Sequence, residues 1–129
     1  MNIRLALLLT RDTNFEKLLG EALSRSGANI LTFHTLDDAL QTLCGRSQEL
    51  DLAVIDFDHG CHGMTLLEAI NACCKNLPIL VVTSSDLNHA ATLASANGAA
   101  ACVAKPVTTT ELELVLSQLR EPKLELTAA

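Results

Sequence analysis

Five short, almost purely apolar runs recur along this chain, at residues 3–9, 30–33, 52–55, 77–82 and 99–104. A strand with one wet face alternates apolar with polar residues, so runs that lack the alternation belong to strands covered on both faces. Each run is followed by a segment whose apolar residues return at helical spacing. The constraint is therefore a repeated strand-then-helix unit, with helices to cover both sides of one sheet.

The helical segments carry their own start and stop signals. Thr13-Asn-Phe-Glu16 has the capping-box pattern, and Phe15, Leu18, Leu19, Ala22 and Leu23 form a stripe that ends before Gly27. Thr35 opens a second helix through Leu36, Ala39, Leu40, Leu43 and Cys44, with Gly45 as its stop. Leu66, Leu67, Ile70 and Cys74 mark a third after a polar loop at 57–63. An alanine-rich fourth is capped from Thr83-Ser84-Ser85-Asp86 and stopped by Gly98. Thr108 with Glu111 caps a fifth, which carries Leu112, Val115, Leu116 and Leu119.

Five βα units joined by right-handed crossovers make a parallel sheet, and 129 residues is too few for an eight-fold barrel. What remains is an α/β fold, a doubly wound open sheet of (βα)5 form. With 49% hydrophobic residues the chain suffices for one core, so residues 1–120 are expected as one domain. Residues 121–129, with a proline, mixed charges and no stripe, are expected as a tail or linker stub.

Composition excludes several functions. A net charge of −6 without a dense basic run, and three phenylalanines as the only aromatics, disfavour direct nucleic-acid binding. No leader-like or membrane-length apolar stretch is present, and a soluble cytoplasmic protein is expected. Five cysteines are an odd number and suggest no disulfide framework. His59-Gly-Cys61-His62 lacks the paired spacing of a zinc site even with Cys73 and Cys74 considered, and reads as an exposed polar loop. A flavodoxin-type electron carrier would need a Gly-rich phosphate cradle after the first strand and aromatics for a flavin, and neither is seen.

Ligands of open α/β sheets bind beyond the carboxyl ends of the strands. Those ends carry Thr10-Arg11-Asp12, Asp56, Thr83 and Lys105. An acid closing a buried strand is costly unless paired or used. A carboxylate attacking phosphorus needs charge neutralisation more than a base, which a lysine and a hydroxyl supply. Singly, Thr83 is also a turn hydroxyl and Lys105 a solvated lysine beside Pro106. Their joint placement with Asp56 carries the chemistry.

Three stretches carry a resemblance: an apolar strand ending in Asp56, another ending in Val82-Thr83-Ser84, and Gly98-Ala99 followed by Cys102-Val103-Ala104-Lys105-Pro106-Val107. Over residues 3–120 the chain resembles the bacterial response-regulator receiver domain. The resemblance implies a flavodoxin-like sheet of strand order 2-1-3-4-5. It also implies Asp56 as phosphoacceptor for a histidine kinase or phosphotransfer protein, with Thr83 and Lys105 as phosphate-binding switch residues. A cis Lys105–Pro106 bond and no catalysis beyond self-phosphorylation and dephosphorylation at Asp56 complete the expectation.

The chain departs from the family pattern in three places. Where the family has two adjacent acids that hold Mg²⁺, this chain has Thr10 and Arg11, so Mg²⁺ binding through Asp56, Asp12 or Asp58 is expected to be weak or absent. Asp12 suits either a helix cap or a displaced metal ligand. Arg11 lies within plausible reach of Asp56 and can stand in for the metal's charge. In the loop after Asp56, Gly60 replaces the usual proline and Gly63 arrives one residue early. Cys102 replaces the aromatic that swings inward on phosphorylation. Two readings follow: a receiver phosphorylated on Asp56 that signals to an output domain or protein, and a phosphorylation-independent pseudo-receiver that docks partners.

Overall fold

The structure, a computed structural model, describes residues 3–120 apart from 59, 61, 75, 85 and 86, and only the backbone of 87, 88 and 120. Five strands, β1 (Leu5–Leu9), β2 (Asn29–Phe33), β3 (Leu52–Asp56), β4 (Ile79–Thr83) and β5 (Ala101–Ala104), alternate with five helices. These are α1 (Thr13–Ser24), α2 (Leu36–Arg46), α3 (Gly63–Cys73), α4 (Leu87–Ala96) and α5 (Thr109–Arg120). All strand pairs are parallel, in the order β2-β1-β3-β4-β5, as the resemblance implied.

The unbroken apolar runs have a direct cause. Successive residues of a strand point to opposite faces, and both faces are packed. Ala6, Leu8, Leu52, Val54, Leu80 and Val82 face Phe15 and Leu19 of α1 and Leu112 and Leu116 of α5. On the other side Leu7, Leu9, Ala53, Ile55 and Val81 face α2, α3 and α4 through Leu43, Leu66, Ile70 and Ala94. Each large side chain removed from water in this way contributes roughly 1.5–3 kcal/mol before chain entropy is charged against it.

Several boundaries differ from the sequence reading. The run at 3–9 pairs only from Leu5, because Ile3 is buried in the α1/α5 layer without joining the ladder. Asp51 closes that end, its Oδ2 accepting from Arg4 N at 2.8 Å and Leu5 N at 3.1 Å. Helix α1 is capped by Asp12 and not by Thr13, since Asp12 is extended and its Oδ1 accepts from Phe15 N at 3.1 Å. Gly45 does not stop α2, which continues to Arg46 and a 3-10 turn at Ser47–Glu49. Thr35 does cap α2, and Thr108 and Glu111 bond reciprocally at 3.1 and 2.9 Å before α5. Gly98 takes φ +98 after α4, and a Cβ there would collide with Asn71 Oδ1.

Register does the rest. Leu9 pairs with Ile55, Asp56 with Val82 and Thr83 with Ala104, so Thr10, Asp56, Thr83 and Lys105 emerge together at one edge of the sheet. Among the described residues no helix is long and apolar enough to cross a membrane. The expected tail at 121–129 lies outside the described residues, as do Ser85 and Asp86 of the expected α4 cap.

Candidate functional site

Asp56, the last residue of β3, has no solvent exposure. Its carboxylate survives there because every side is answered. Oδ2 accepts from the Thr10 hydroxyl at 2.6 Å and from Lys105 Nζ at 2.8 Å, and Oδ1 accepts from Asp58 N at 2.8 Å. Among the described residues no buried side-chain nitrogen or oxygen lacks a partner, as buried polar groups require.

Thr10 is held by its own backbone, its N–H donating to Phe33 O at 3.0 Å. The hydroxyl gives its proton to Asp56 and takes the Asp12 N–H at 3.0 Å, a short relay that fixes both acids. In a Thr10→Val variant the shape stays and both bonds go. The expected cost is about 1–2 kcal/mol, read from the urea midpoint, and a loss below ~0.5 kcal/mol would mean the relay adds nothing.

Lys105 follows β5 and extends the ladder, its N–H donating to Thr83 O at 2.8 Å. The bond to Pro106 is cis. Nζ meets Asp56 Oδ2 at 2.8 Å, Asp12 Oδ2 at 2.9 Å and Asp58 Oδ2 at 3.4 Å, and lies 5.7 Å from the centroid of the Phe15 ring. Burial works to lower the ammonium's pKa, but hydrogen bonds and charge from Asp56 and Asp12 outweigh it and hold it above its usual value.

The Asp58 carboxylate folds back over the end of β4. Oδ1 accepts from the Thr83 hydroxyl at 3.2 Å and from Ser84 N at 3.1 Å, and Oδ2 accepts from Ser84 N at 2.9 Å. Burial pushes its pKa up, while hydrogen bonding by Ser84 and the nearby Lys105 charge bring it below the ordinary carboxyl value. Asp12 is also lowered, chiefly by its hydrogen bond to Lys105 against the pull of burial.

Of the residues read from the sequence, Thr10, Asp12, Asp56, Asp58 and Lys105 form one connected cluster, and Thr83 joins it through Asp58. Asp12 takes the capping role through Oδ1, and its Oδ2 accepts from Lys105 Nζ at 2.9 Å. Arg11 is exposed and donates from Nε to His34 O at 3.0 Å, so the cation bonded to Asp56 is Lys105. Cys102 is partly buried, its thiol pushed up by burial. His59 and Cys61 lie outside the described residues. Sequence reasoning missed that Asp58 gathers Thr83 and Ser84, and that the Phe15 ring lies under Lys105. An acid two residues after Asp56 was the available signal for the first.

The Mg²⁺ that the resemblance implies demands a nearly octahedral set of oxygens. Here the three carboxylates turn to one ammonium, and the Thr10 hydroxyl spends its proton on Asp56. Among the described residues no group of three or more His, Cys, Asp or Glu side chains is arranged to hold a metal ion. The arrangement does not fit the ion.

The family model described as the response regulator receiver domain matches residues 9–117. No curated protein matches. Among solved structures the chain is similar to a response regulator receiver domain protein from Clostridium thermocellum, at 19% identity and TM-score 0.79, over 91% of this chain and 94% of that one. It is similar to NtrX from Brucella abortus at 23% identity and TM-score 0.81, over 99% of this chain and 29% of that one. It is also similar to a BeF3-activated DrrB receiver domain, at 20% identity and TM-score 0.80, over 95% of this chain and 100% of that one. At such identities the likeness is one of fold.

Proposed function

The chain belongs to the response regulator receiver domain family, and from that premise we propose that it takes a phosphoryl group on Asp56 and passes the change on by binding a partner. The observation that supports this reading is the convergence on Asp56 of a charged lysine, a hydroxyl and a backbone N–H at a strand end. Oδ1 carries one hydrogen bond and Oδ2 two, which leaves Oδ1 the less neutralised and the better nucleophile. In the transfer a new bond forms from phosphorus to this oxygen. The bond from phosphorus to the donor's leaving group breaks, and its electron pair goes with that group. No proton need leave Asp56, and Lys105 offsets the charge gathered on the phosphoryl oxygens.

The phosphodonor would be a histidine kinase or phosphotransfer protein, met in the cytoplasm. The receiver of the signal would be a separate protein or an output domain, a view supported by the small share of NtrX that this chain spans. Catalysis would extend no further than self-phosphorylation and dephosphorylation. A second reading, a phosphorylation-independent module, is favoured by one feature: Thr10 and Lys105 already complete the site without a metal.

Acetyl phosphate, with and without Mg²⁺, followed by intact mass, separates the two. The expected result is a phosphoryl mass gain in the wild type that is lost in Asp56→Asn. No gain in the wild type, with gain restored in Arg11→Asp, would instead establish the phosphorylation-independent module.

A further inference from the structure

We infer that the Asp58 carboxylate is a built-in stand-in for the phosphoryl group, seated in the anion cradle that a phosphoryl group on Asp56 would use and displaced when that group arrives. The inference rests on Asp56 being the acceptor. A phosphoryl group there needs donors beside it for oxygens that carry most of the negative charge. The donors available at the neighbouring strand ends are the Thr83 hydroxyl, the Ser84 N–H and the Lys105 ammonium. All three are engaged by one carboxylate, at 3.2, 2.9 and 3.4 Å.

The backbone explains how a loop residue comes to do this. Asp56 Oδ1 accepts the N–H two residues on, at 2.8 Å, which is the turn an aspartate forms with its own chain. That turn places Asp58 above β4, where its side chain meets Thr83 and Ser84 and is only 8% exposed. An aspartate that merely capped a turn would bond the Ser84 N–H and face water. This one is withdrawn from solvent and also holds the switch hydroxyl and the ammonium.

The consequence is competition. Asp56 has no exposure while Asp58 is seated, and the donors cannot serve two anions at full strength. A phosphoryl group brings more charge and three oxygens against two, so it can win, but it gains less than it would in an empty cradle. Asp58 thereby sets the threshold for phosphorylation and draws Thr83 toward the site beforehand.

Beryllofluoride, the group in the activated DrrB domain, is the probe. The whole chain is titrated with beryllium and fluoride in Mg²⁺, following the Ser84 and Thr83 amides by ¹H–¹⁵N NMR in wild type, Asp58→Ala and Asp58→Asn. In Asp58→Ala the Ser84 amide proton should move upfield before any titration, having lost a charged acceptor. Half-saturation should then come at about tenfold lower beryllofluoride, as expected for loss of a charge-assisted bond. Asp58→Asn, which keeps the shape and an acceptor without the charge, should fall between and guards against a folding defect in Asp58→Ala. Equal half-saturation in all three proteins overturns the inference and leaves Asp56 as acceptor. Weaker binding in the variants, the result if Asp58 were a ligand of Mg²⁺, also overturns it. Absence of binding in all three overturns both this and the acceptor reading.

Discussion

Lys105→Met is expected to lose about 3 kcal/mol of folding stability at neutral pH, the lower end of what breaking a buried ion pair costs. The loss comes less from attraction forgone than from what stays behind. Asp56, without exposure, would keep only the Thr10 hydroxyl and the Asp58 N–H, and Asp12 and Asp58 would face each other without a cation between them. Methionine fills similar volume over Phe15, so a cavity does not confound the measurement. If charge is the cause, adding Asp56→Asn to Lys105→Met should recover part of the loss, since the sealed carboxylate is then neutral. A urea midpoint within ~0.5 kcal/mol of wild type would show that the ammonium is replaceable.

The same cluster sets a pH window. Asp12 and Asp58 lie below their ordinary value of 3.8 in the fold, so their contribution is present above that value and is lost as pH falls through their folded pKa values. Lys105 lies above its ordinary 10.5, so its contribution is present below 10.5 and lost as pH rises through the raised value. Between these limits the contributions of Asp12, Asp58 and Lys105 are constant. Urea midpoints across pH should show the alkaline fall of wild type diminished in Lys105→Met.

The (βα)5 frame was legible because the central strands are buried on both faces and the edge strands add partly buried apolar residues, leaving unbroken runs between helical stripes. Burial is not pairing, however: Ile3 belongs to the core and not to a strand, and no apolar pattern separates the two. The cap of α1 had two candidates in the sequence, because Asp12 and Thr13 both suit the position. The conformation, extended at Asp12 and helical from Thr13, decided it. Asp56, Thr83 and Lys105 could be gathered from sequence because each sits at or next to a strand end, where the parallel sheet brings them together. Arg11 and Asp58 follow no such rule. A long side chain at a strand end can turn to either neighbour, and Arg11 turns to the carbonyl of His34. The direction of Asp58 depends on the hydrogen bond from its own N–H to Asp56 Oδ1, of which the sequence shows only an acid two residues after another.

Gly63→Ala should cost roughly 2–3 kcal/mol, toward the upper end of overpacking penalties, although a helix gains from alanine elsewhere. Gly63 begins α3, is buried, and lies so close to β3 that a Cβ would meet Phe57 Cδ1 at 2.6 Å, Ile55 Cγ2 at 2.8 Å and the Asp56 carbonyl oxygen at 2.9 Å. The Phe57 ring can swing aside. Ile55 is locked in the core and the Asp56 carbonyl is backbone, so the start of α3 has to lift away from β3. Gly20→Ala is the control: its Cβ meets nothing within 4 Å in the middle of α1, and it should raise stability by about 0.5–1 kcal/mol. Because the clash falls on the residue that presents the carboxylate, the penalty should come with movement at the site. The Asp58 amide, which reports the Asp56 Oδ1 bond, should shift in the Gly63→Ala spectrum and stay in place in Gly20→Ala. Equal stability of the two alanine variants would mean that α3 yields freely and that the glycine is not what sets Asp56 in position.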